Sequence, residues 1–491
     1  MANIVHHLPK TDDIALIGPD GQELSYRELA SEVGRVAGGL HRLGIRGGDR
    51  IVLLIPMSID LYVALLAIFH IGATATLIDP AADVQSILSR YKPDGLIGIP
   101  KAHLLRLKVK ALRGLKVYVS TGFTPLFHTR LQRLKGERIP VGSDSAPALL
   151  TFTSGTTGHP KAIARSHDFL WNQHRVLHDH MPFQSGDVDL PTLPVFLLHS
   201  LASGATCVIA DADLKTVGEV DAEPVVNQMM KYGVTSTSGS PAFFRQLADH
   251  LKKTQRTLPA LKHIYTGGAR VPASLVDDLA TLLPNTRLHV VYGSTEAEPI
   301  AVLDARACRD SLVSQAHLGA LVGTPVSAIQ IRIEPIEASS RWGEIWVSGS
   351  HVNPGYVDNP EAEADHKVHD HGTIWHRTGD VGCLDDVGQL WLVGRMGESV
   401  GGLWPLAVEG AVEALPYVRK AGLVEVNGHP ALAVELTDPP ENWQEVIQSQ
   451  AGASAYRVES IPVDTRHNAK VDRLKLSAML SAMLSAMLTV H

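Results

Sequence analysis

Eleven residues, Thr151-Phe-Thr-Ser-Gly-Thr-Thr-Gly-His-Pro-Lys161, combine five hydroxyl side chains, two glycines and a closing lysine. Glycine lets a backbone approach a ligand closely, exposed N–H groups and hydroxyls donate to anionic oxygens, and lysine adds a point charge. Such a loop suits a polyphosphate, held by Thr153, Ser154, Gly155, Thr156, Thr157, Gly158 and Lys161. Its spacing is not the G-x-x-x-x-G-K-[ST] of a Walker A loop. A second string, Tyr292-Gly293-Ser294-Thr295-Glu296, offers an aromatic ring to stack on a base, hydroxyls for phosphate oxygens and a carboxylate able to hold Mg²⁺. In Trp375-His-Arg-Thr-Gly-Asp380 the carboxylate can accept from both hydroxyls of a ribose, and in Gly394-Arg395 the arginine can reach ribose or phosphate.

These residues need elements to carry them. The apolar residues 148–150 form a strand that feeds the first loop. Upstream, residues 14–27 read as a hairpin, and Ser25-Tyr-Arg-Glu28 as a capping box opening a helix that ends at 44–48. Residues 50–55 and 73–78 read as strands around a helix at 59–71, an alternation that implies a parallel sheet. Downstream, 201–209 reads as an apolar strand, 225–232 as a helix, 234–238 as a strand, and Pro241 opens another helix. Residues 264–269 form a strand ending in the turn Gly267-Gly268-Ala269, and 289–296 repeat that arrangement. Ligands of open α/β sheets bind at the carboxyl ends of strands, so both turns are candidate site walls. Phe196, Phe243, Phe244 and Ser238-Gly-Ser-Pro241 are candidate walls of a pocket for the substrate's organic part. From Gly319 the texture changes to short strands and turns, and 394–402 is a glycine-rich hinge. Beyond it 408–415, 420–426 and 430–436 read as a small α+β unit. The tail repeats Ser-Ala-Met-Leu three times, a sticky helical stripe that reads as a terminal helix on that unit, with a partner-binding tail as the alternative.

A chain of 491 residues exceeds one ordinary core, and its 45% apolar and 19% charged composition is that of a globular protein. The net charge of −7 gives no reason to expect nucleic acid as a partner. Cys207, Cys308 and Cys383 are scattered, as in a reducing cytoplasm, and the first residues lack a secretory pattern. A cytoplasmic location is expected. The most apolar stretch, 51–78, is interrupted by Pro56, Asp60 and His70, and so reads as a strand and a helix. Between Gly95 and Gly136 nine lysines and arginines occur with no acidic residue, interleaved with leucines. A solvated helix face is favoured there over contact with a membrane through residues 101–135. His366, His369, His371 and His376 have no standard metal-site spacing, and most of them fall in what reads as a polar loop.

Taken together, the strings resemble the signatures of the adenylate-forming (AMP-binding) superfamily, which includes acyl-CoA synthetases, luciferases, peptide-synthetase adenylation domains and β-lactone synthetases. The first matches almost letter for letter, and the likeness runs in the family's order from about residue 20 to 476. It implies an α/β fold: a large domain of parallel and mixed sheets over 1–394, with a β-rich subdomain at about 319–394, and a small mobile α+β lid over 395–491. Pro462-Val-Asp-Thr-Arg-His-Asn-Ala-Lys-Val-Asp-Arg473 resembles the family's mobile-lysine motif. The implied catalytic residues are Lys470, Glu296 and Thr153. ATP would be held by the first loop, the turn 267–269, residues 292–296, Asp380, Arg395 and Lys470, with Mg²⁺ on Glu296. The implied reaction joins a small-molecule carboxylic acid to AMP with release of pyrophosphate.

Three features are similar to the β-lactone synthetases of olefin biosynthesis: Asp189-Leu-Pro-Thr-Leu-Pro with a shortened segment before Gly204, Trp375-His-Arg before Gly379-Asp380, and Val463-Asp-Thr-Arg-His-Asn-Ala-Lys470. In that branch a β-hydroxyl of a 3-hydroxy fatty acid closes on the activated carbonyl, and no coenzyme A is needed. Met396-Gly-Glu-Ser-Val-Gly-Gly402 lacks the usual hinge Asp or Lys and so departs from both the ligase and the β-lactone synthetase patterns; the departure speaks against thioester formation and leaves acceptor and substrate open. An acyl-CoA or acyl-carrier ligase, an amide-forming synthetase and a non-catalytic nucleotide-binding paralogue are the alternatives.

Overall fold

In a computed structural model, residues 3–78, 83–123, 129–153, 161–338, 340–464 and 470–489 are described, with the backbone alone for Thr153 and 487–489. Two sheets form the body. One has six strands in the order Val117–Ser120, Gly95–Gly98, Arg50–Leu54, Thr74–Leu77, Leu149–Thr153, Lys161–Arg165, all parallel except the last. The other has 14 strands. Its centre is parallel, with Val188–Pro191, Ser236–Gly239, His263–Gly267 and Arg287–Ser294 side by side.

The helices follow from local chemistry. Ser25 accepts the Glu28 N–H while Glu28 accepts from Ser25, a reciprocal cap worth about 1 kcal/mol that starts Tyr26–Arg42. Ser58 caps Ile59–Ile71, and Gly72 stops it in the left-handed region at φ 77°. That second helix is apolar almost all round because it is buried between the sheets, in a core that joins Leu16 and Cys207 to Ile51, Val119 and Leu149.

Three expectations are corrected. Leu201 and Ala202 end the helix Pro194–Ala202, and the strand there is only Thr206–Val208; a turn at Gly204, φ 83°, separates them. The basic segment is no continuous helix. It breaks into Pro100–Leu104, Leu105–Lys108 and Lys110–Leu112, with Val109 extended at φ −93°, ψ 107° between the last two, and then passes to a strand. The strand Arg287–Ser294 does not end in a glycine turn like its neighbour; it doubles back as Ala297–Asp304. The short strands expected after Gly319 are present; they are antiparallel and extend the large sheet, joined where Ala320–Pro325 pairs with Ala297–Asp304.

The C-terminal part has its own three-stranded sheet, Val418–Val426, His429–Leu436 and Ser454–Arg457. The repeat tail forms the helix Arg473–Thr489, with Leu476 and Leu480 buried on that sheet against Val424, Val426 and Ala433. A four-residue period keeps one leucine per turn on this face. Helix Pro405–Glu413 faces the main body, where Glu413 forms a buried ion pair with Arg270.

Candidate active site

The parallel strands of the large sheet end together, and glycine is required at their rim. A Cβ on Gly267 would lie 2.2 Å from the Val291 carbonyl oxygen. Gly268 turns the chain at φ 82°, carrying Ala269 and Arg270 away from the sheet. Next to it the Ser294 hydroxyl accepts the N–H groups of Glu296 and Ala297, both at 3.2 Å, and so fixes the turn that presents Glu296. Arg165 donates to the Thr295 carbonyl at 2.9 Å, tying this turn to the six-stranded sheet.

Glu296 accepts from the Tyr356 hydroxyl at 3.0 Å, and its carbonyl accepts the Asn353 N–H at 2.7 Å. Burial pushes the Glu296 carboxyl up, but His376, the Tyr356 hydroxyl and Lys367 outweigh it and hold the group below its ordinary range. At neutral pH Tyr356 and Lys367 carry that effect, because burial drives His376 down to about 3. Lys367 is buried, donates to the Asn353 carbonyl and lies 5.6 Å from the Tyr356 ring centre; burial brings its amine down to about 8.

Lys161 opens the strand Lys161–Arg165 and hydrogen-bonds His366 Nε2. His366 Nδ1 faces the Arg377 carbonyl at 3.3 Å, so the proton sits on Nδ1 and Nε2 accepts from the ammonium. Burial and then Lys161 lower the His366 pKa, which keeps the ring neutral. Burial also lowers Lys161, against the pull of Glu296.

Asp380 and Arg395 are paired across adjacent strands, Thr373–Leu384 and Leu390–Arg395, with Nε 3.2 Å from Oδ1. The other carboxylate oxygen accepts from the Tyr292 hydroxyl at 2.7 Å. Tyr292 is buried with Val176, Ala297 and Ile300, so its ring supports Asp380 from within the core instead of presenting a free face. The antiparallel register sets Thr153 opposite Lys161. Ser154, Gly155, Thr156, Thr157 and Gly158 lie outside the described residues, as does the side chain of Thr153.

Lys470 is not brought to this group. It is exposed, its backbone exchanges hydrogen bonds with Asp464, and among the described residues no hydrogen bond or ion pair engages its ammonium. Three residues on, Arg473 donates to Glu409 and, at 2.8 Å, to the Leu423 carbonyl. Phe243 and Phe244 are core residues on one face of the sheet, with Leu190 and Ile264. Phe196 sits apart with Leu177, Met181, Tyr265 and Val291. Tyr265 and Val291 alternate with Ile264 and Val290, which places Phe196 on the opposite face of the sheet.

Sequence reasoning missed Tyr356, Lys367 and the placement of His366 and His376. The two histidines lie in a helix end and a strand, not in a polar loop. His376 stands four residues before Asp380 in a string already singled out, a signal that went unused. Among the described residues no group of three or more His, Cys, Asp or Glu is arranged to hold a metal ion.

The model of the AMP-binding enzyme family matches residues 6–357. The chain belongs to that family. It is an adenylate-forming enzyme that uses ATP and acts on a small-molecule carboxylic acid. It is 33% identical to the olefin β-lactone synthetase of Stenotrophomonas maltophilia, over 92% of this chain and 90% of that protein. With the olefin β-lactone synthetase of Xanthomonas campestris it shares 31% identity, over 97% of each chain. The solved amide bond synthetase of Marinactinospora thermotolerans superposes with a TM-score of 0.82 at 23% identity, covering 97% of this chain and 98% of that one, which shows a common fold. No helix among the described residues is long and apolar enough to cross a membrane.

Proposed function

We propose that the enzyme activates a 3-hydroxy fatty acid as its acyl-adenylate and then closes it to a β-lactone. A carboxylate oxygen attacks the α-phosphorus of ATP, the bond to the bridging oxygen breaks, and pyrophosphate leaves. The substrate's own 3-hydroxyl then attacks the activated carbonyl; its proton passes to the departing phosphate or solvent, the bond to AMP breaks, and the lactone is released. Holding nucleophile and carbonyl in one molecule replaces the external thiol that a ligase would need.

Within this reading Asp380, fixed by Tyr292 and Arg395, accepts from the ribose, and Lys161 draws on the phosphate charge. Glu296 is an ionised oxygen donor at the rim of the sheet. One carboxylate with substrate phosphates and waters is a set that Mg²⁺ accepts, so the residues fit that ion. When bound, Mg²⁺ neutralises charge on the phosphates. Tyr356 and Lys367 keep Glu296 oriented and ionised. Residues 395–491 act as a lid that turns about the segment 394–402 and carries Lys470 to the α-phosphate, where its charge counters the developing negative charge.

The observation that carries the adenylation is the union of three separate strings, at Tyr292, Asp380 and Arg395, in one hydrogen-bonded unit beside Glu296. Lactone closure is supported by the likeness to two olefin β-lactone synthetases over nearly the whole of each chain. The test is product mass after incubation with ATP, Mg²⁺ and either 3-hydroxy or plain fatty acids, with and without coenzyme A. A lactone from 3-hydroxy acids without coenzyme A is expected. Thioester as the sole product would overturn lactone closure.

A further inference from the structure

The outer edge of the six-stranded sheet carries a surface that the adenylation chemistry does not use. Strands Gly95–Gly98 and Val117–Ser120 run parallel, and the segments leaving their carboxyl ends lie side by side. Thr121 N–H donates to the Gly98 carbonyl at 3.1 Å, and a Cβ on Gly122 would stand 3.0 Å from Pro100 Cγ. Leu104, Leu107 and Phe123 project from these segments, with Leu107 74% and Phe123 70% exposed.

Cations surround them. Residues 95–136 hold nine lysines and arginines and no acidic residue. Arg130 lies 4.7 Å over the Phe123 ring, Arg106 3.7 Å over the Tyr118 ring, and Arg113 donates to the carbonyls of Arg106 and Leu107. Arg113 braces the turn that presents Leu104 and Leu107, while Lys101, Lys108 and Lys110 stand exposed on the same turns. Lys116, by contrast, is drawn to Asp49 and Asp94 at 2.7 and 2.9 Å, toward the opposite end of the strands. The Asp60 carboxylate, which reaches this edge from a neighbouring helix, is tied to Gln132 at 2.8 Å.

We infer that this face docks the protein peripherally on an anionic lipid surface, with Leu104, Leu107 and Phe123 among the headgroups and Lys101, Lys108 and Arg130 against lipid phosphates. Protruding leucine and phenylalanine side chains need a matching cavity in a protein partner, but a bilayer interface takes them without one. A net charge of −7 repels the rest of the molecule from such a surface, so attraction confined to one edge also sets the orientation. The inference does not depend on which acid is activated.

The test is co-sedimentation of the whole protein with phosphatidylcholine vesicles, alone or with about a third phosphatidylglycerol, at low and high salt. Binding to the anionic vesicles only, released by salt, is expected. Leu107→Ser with Phe123→Ser, and separately Lys101→Glu with Lys108→Glu, should each weaken it by about tenfold or more while melting temperature is kept. If the apolar pair lowers the melting temperature, the charge pair decides. Failure of the unmodified protein to bind anionic vesicles, or undiminished binding by a folded variant, would overturn the inference. Capture of an acidic protein without any vesicle binding overturns it as well.

Discussion

The hydroxyl of Tyr292 stands 2.7 Å from Asp380 Oδ2, joining a strand of the parallel region to one of the antiparallel extension. That bond and the pairing of Arg395 with the other carboxylate oxygen leave Asp380 little rotational freedom. A hydrogen bond to a charged group contributes about 1.5–3 kcal/mol, so Tyr292→Phe should raise the KM for ATP by about tenfold in acid-dependent pyrophosphate exchange. The phenyl ring still fills the core beside Ile300, and the melting temperature should move little. An unchanged KM would mean that Asp380 is held without Tyr292.

Asp189 lies fully inside the large sheet, where it accepts from the Ser200 hydroxyl at 2.5 Å, and burial pushes its carboxyl up to about 7. The unfolded chain releases this proton near 4, so between about 4 and 7 the folded state binds more protons and stability falls as pH rises. Asp189→Asn removes that loss. The variant should gain melting temperature over the unmodified protein at pH 8, and the gain should shrink toward pH 5. A difference constant with pH would show that Asp189 does not titrate across this window.

The signatures and their supports were not equally legible. Helix Ile59–Ile71 was readable because its cap and its stop, Ser58 and Gly72, are local. Glu296, Asp380 and Arg395 were readable because each sits in a short string of distinctive chemistry. The bond from Lys161 to His366 spans 205 positions, and that from Glu296 to Tyr356 spans 60, so nothing in either local string announces its partner. The run 201–209 misled for another reason. Apolar runs carry no period when buried, and the decisive signals were Pro194 at the helix start and Gly204 at the turn.

Arg270 follows the turn 267–269 and pairs with Glu413 on the first helix beyond the hinge segment, both largely buried. Removing one partner strands a buried charge. Arg270→Ala should therefore cost about 3 kcal/mol, read as a lower denaturation midpoint. Replacing the pair together, Arg270→Met with Glu413→Leu, should recover much of it. If the single variant is as stable as the unmodified protein, Glu413 is adequately solvated or paired elsewhere and the contact does not hold the two parts together.

Lys470 is exposed and its side chain engages no hydrogen-bond or ion-pair partner among the described residues. Lys470→Ala should leave the melting temperature and ATP binding unchanged. If a turning lid brings its ammonium to the α-phosphate, the charge acts only as the carboxylate attacks and pyrophosphate departs. Loss of one such preorganised group costs about a hundredfold or more in turnover. Acid-dependent pyrophosphate exchange should fall by that order, with Lys470→Arg retaining part of the rate because it keeps the charge. Lactone formation from a supplied acyl-adenylate should fall far less, since closure breaks the bond between the carbonyl carbon and AMP and none at phosphorus. Equal loss in both half-reactions would instead place Lys470 in lactone closure too, and unchanged exchange would remove it from the adenylation step.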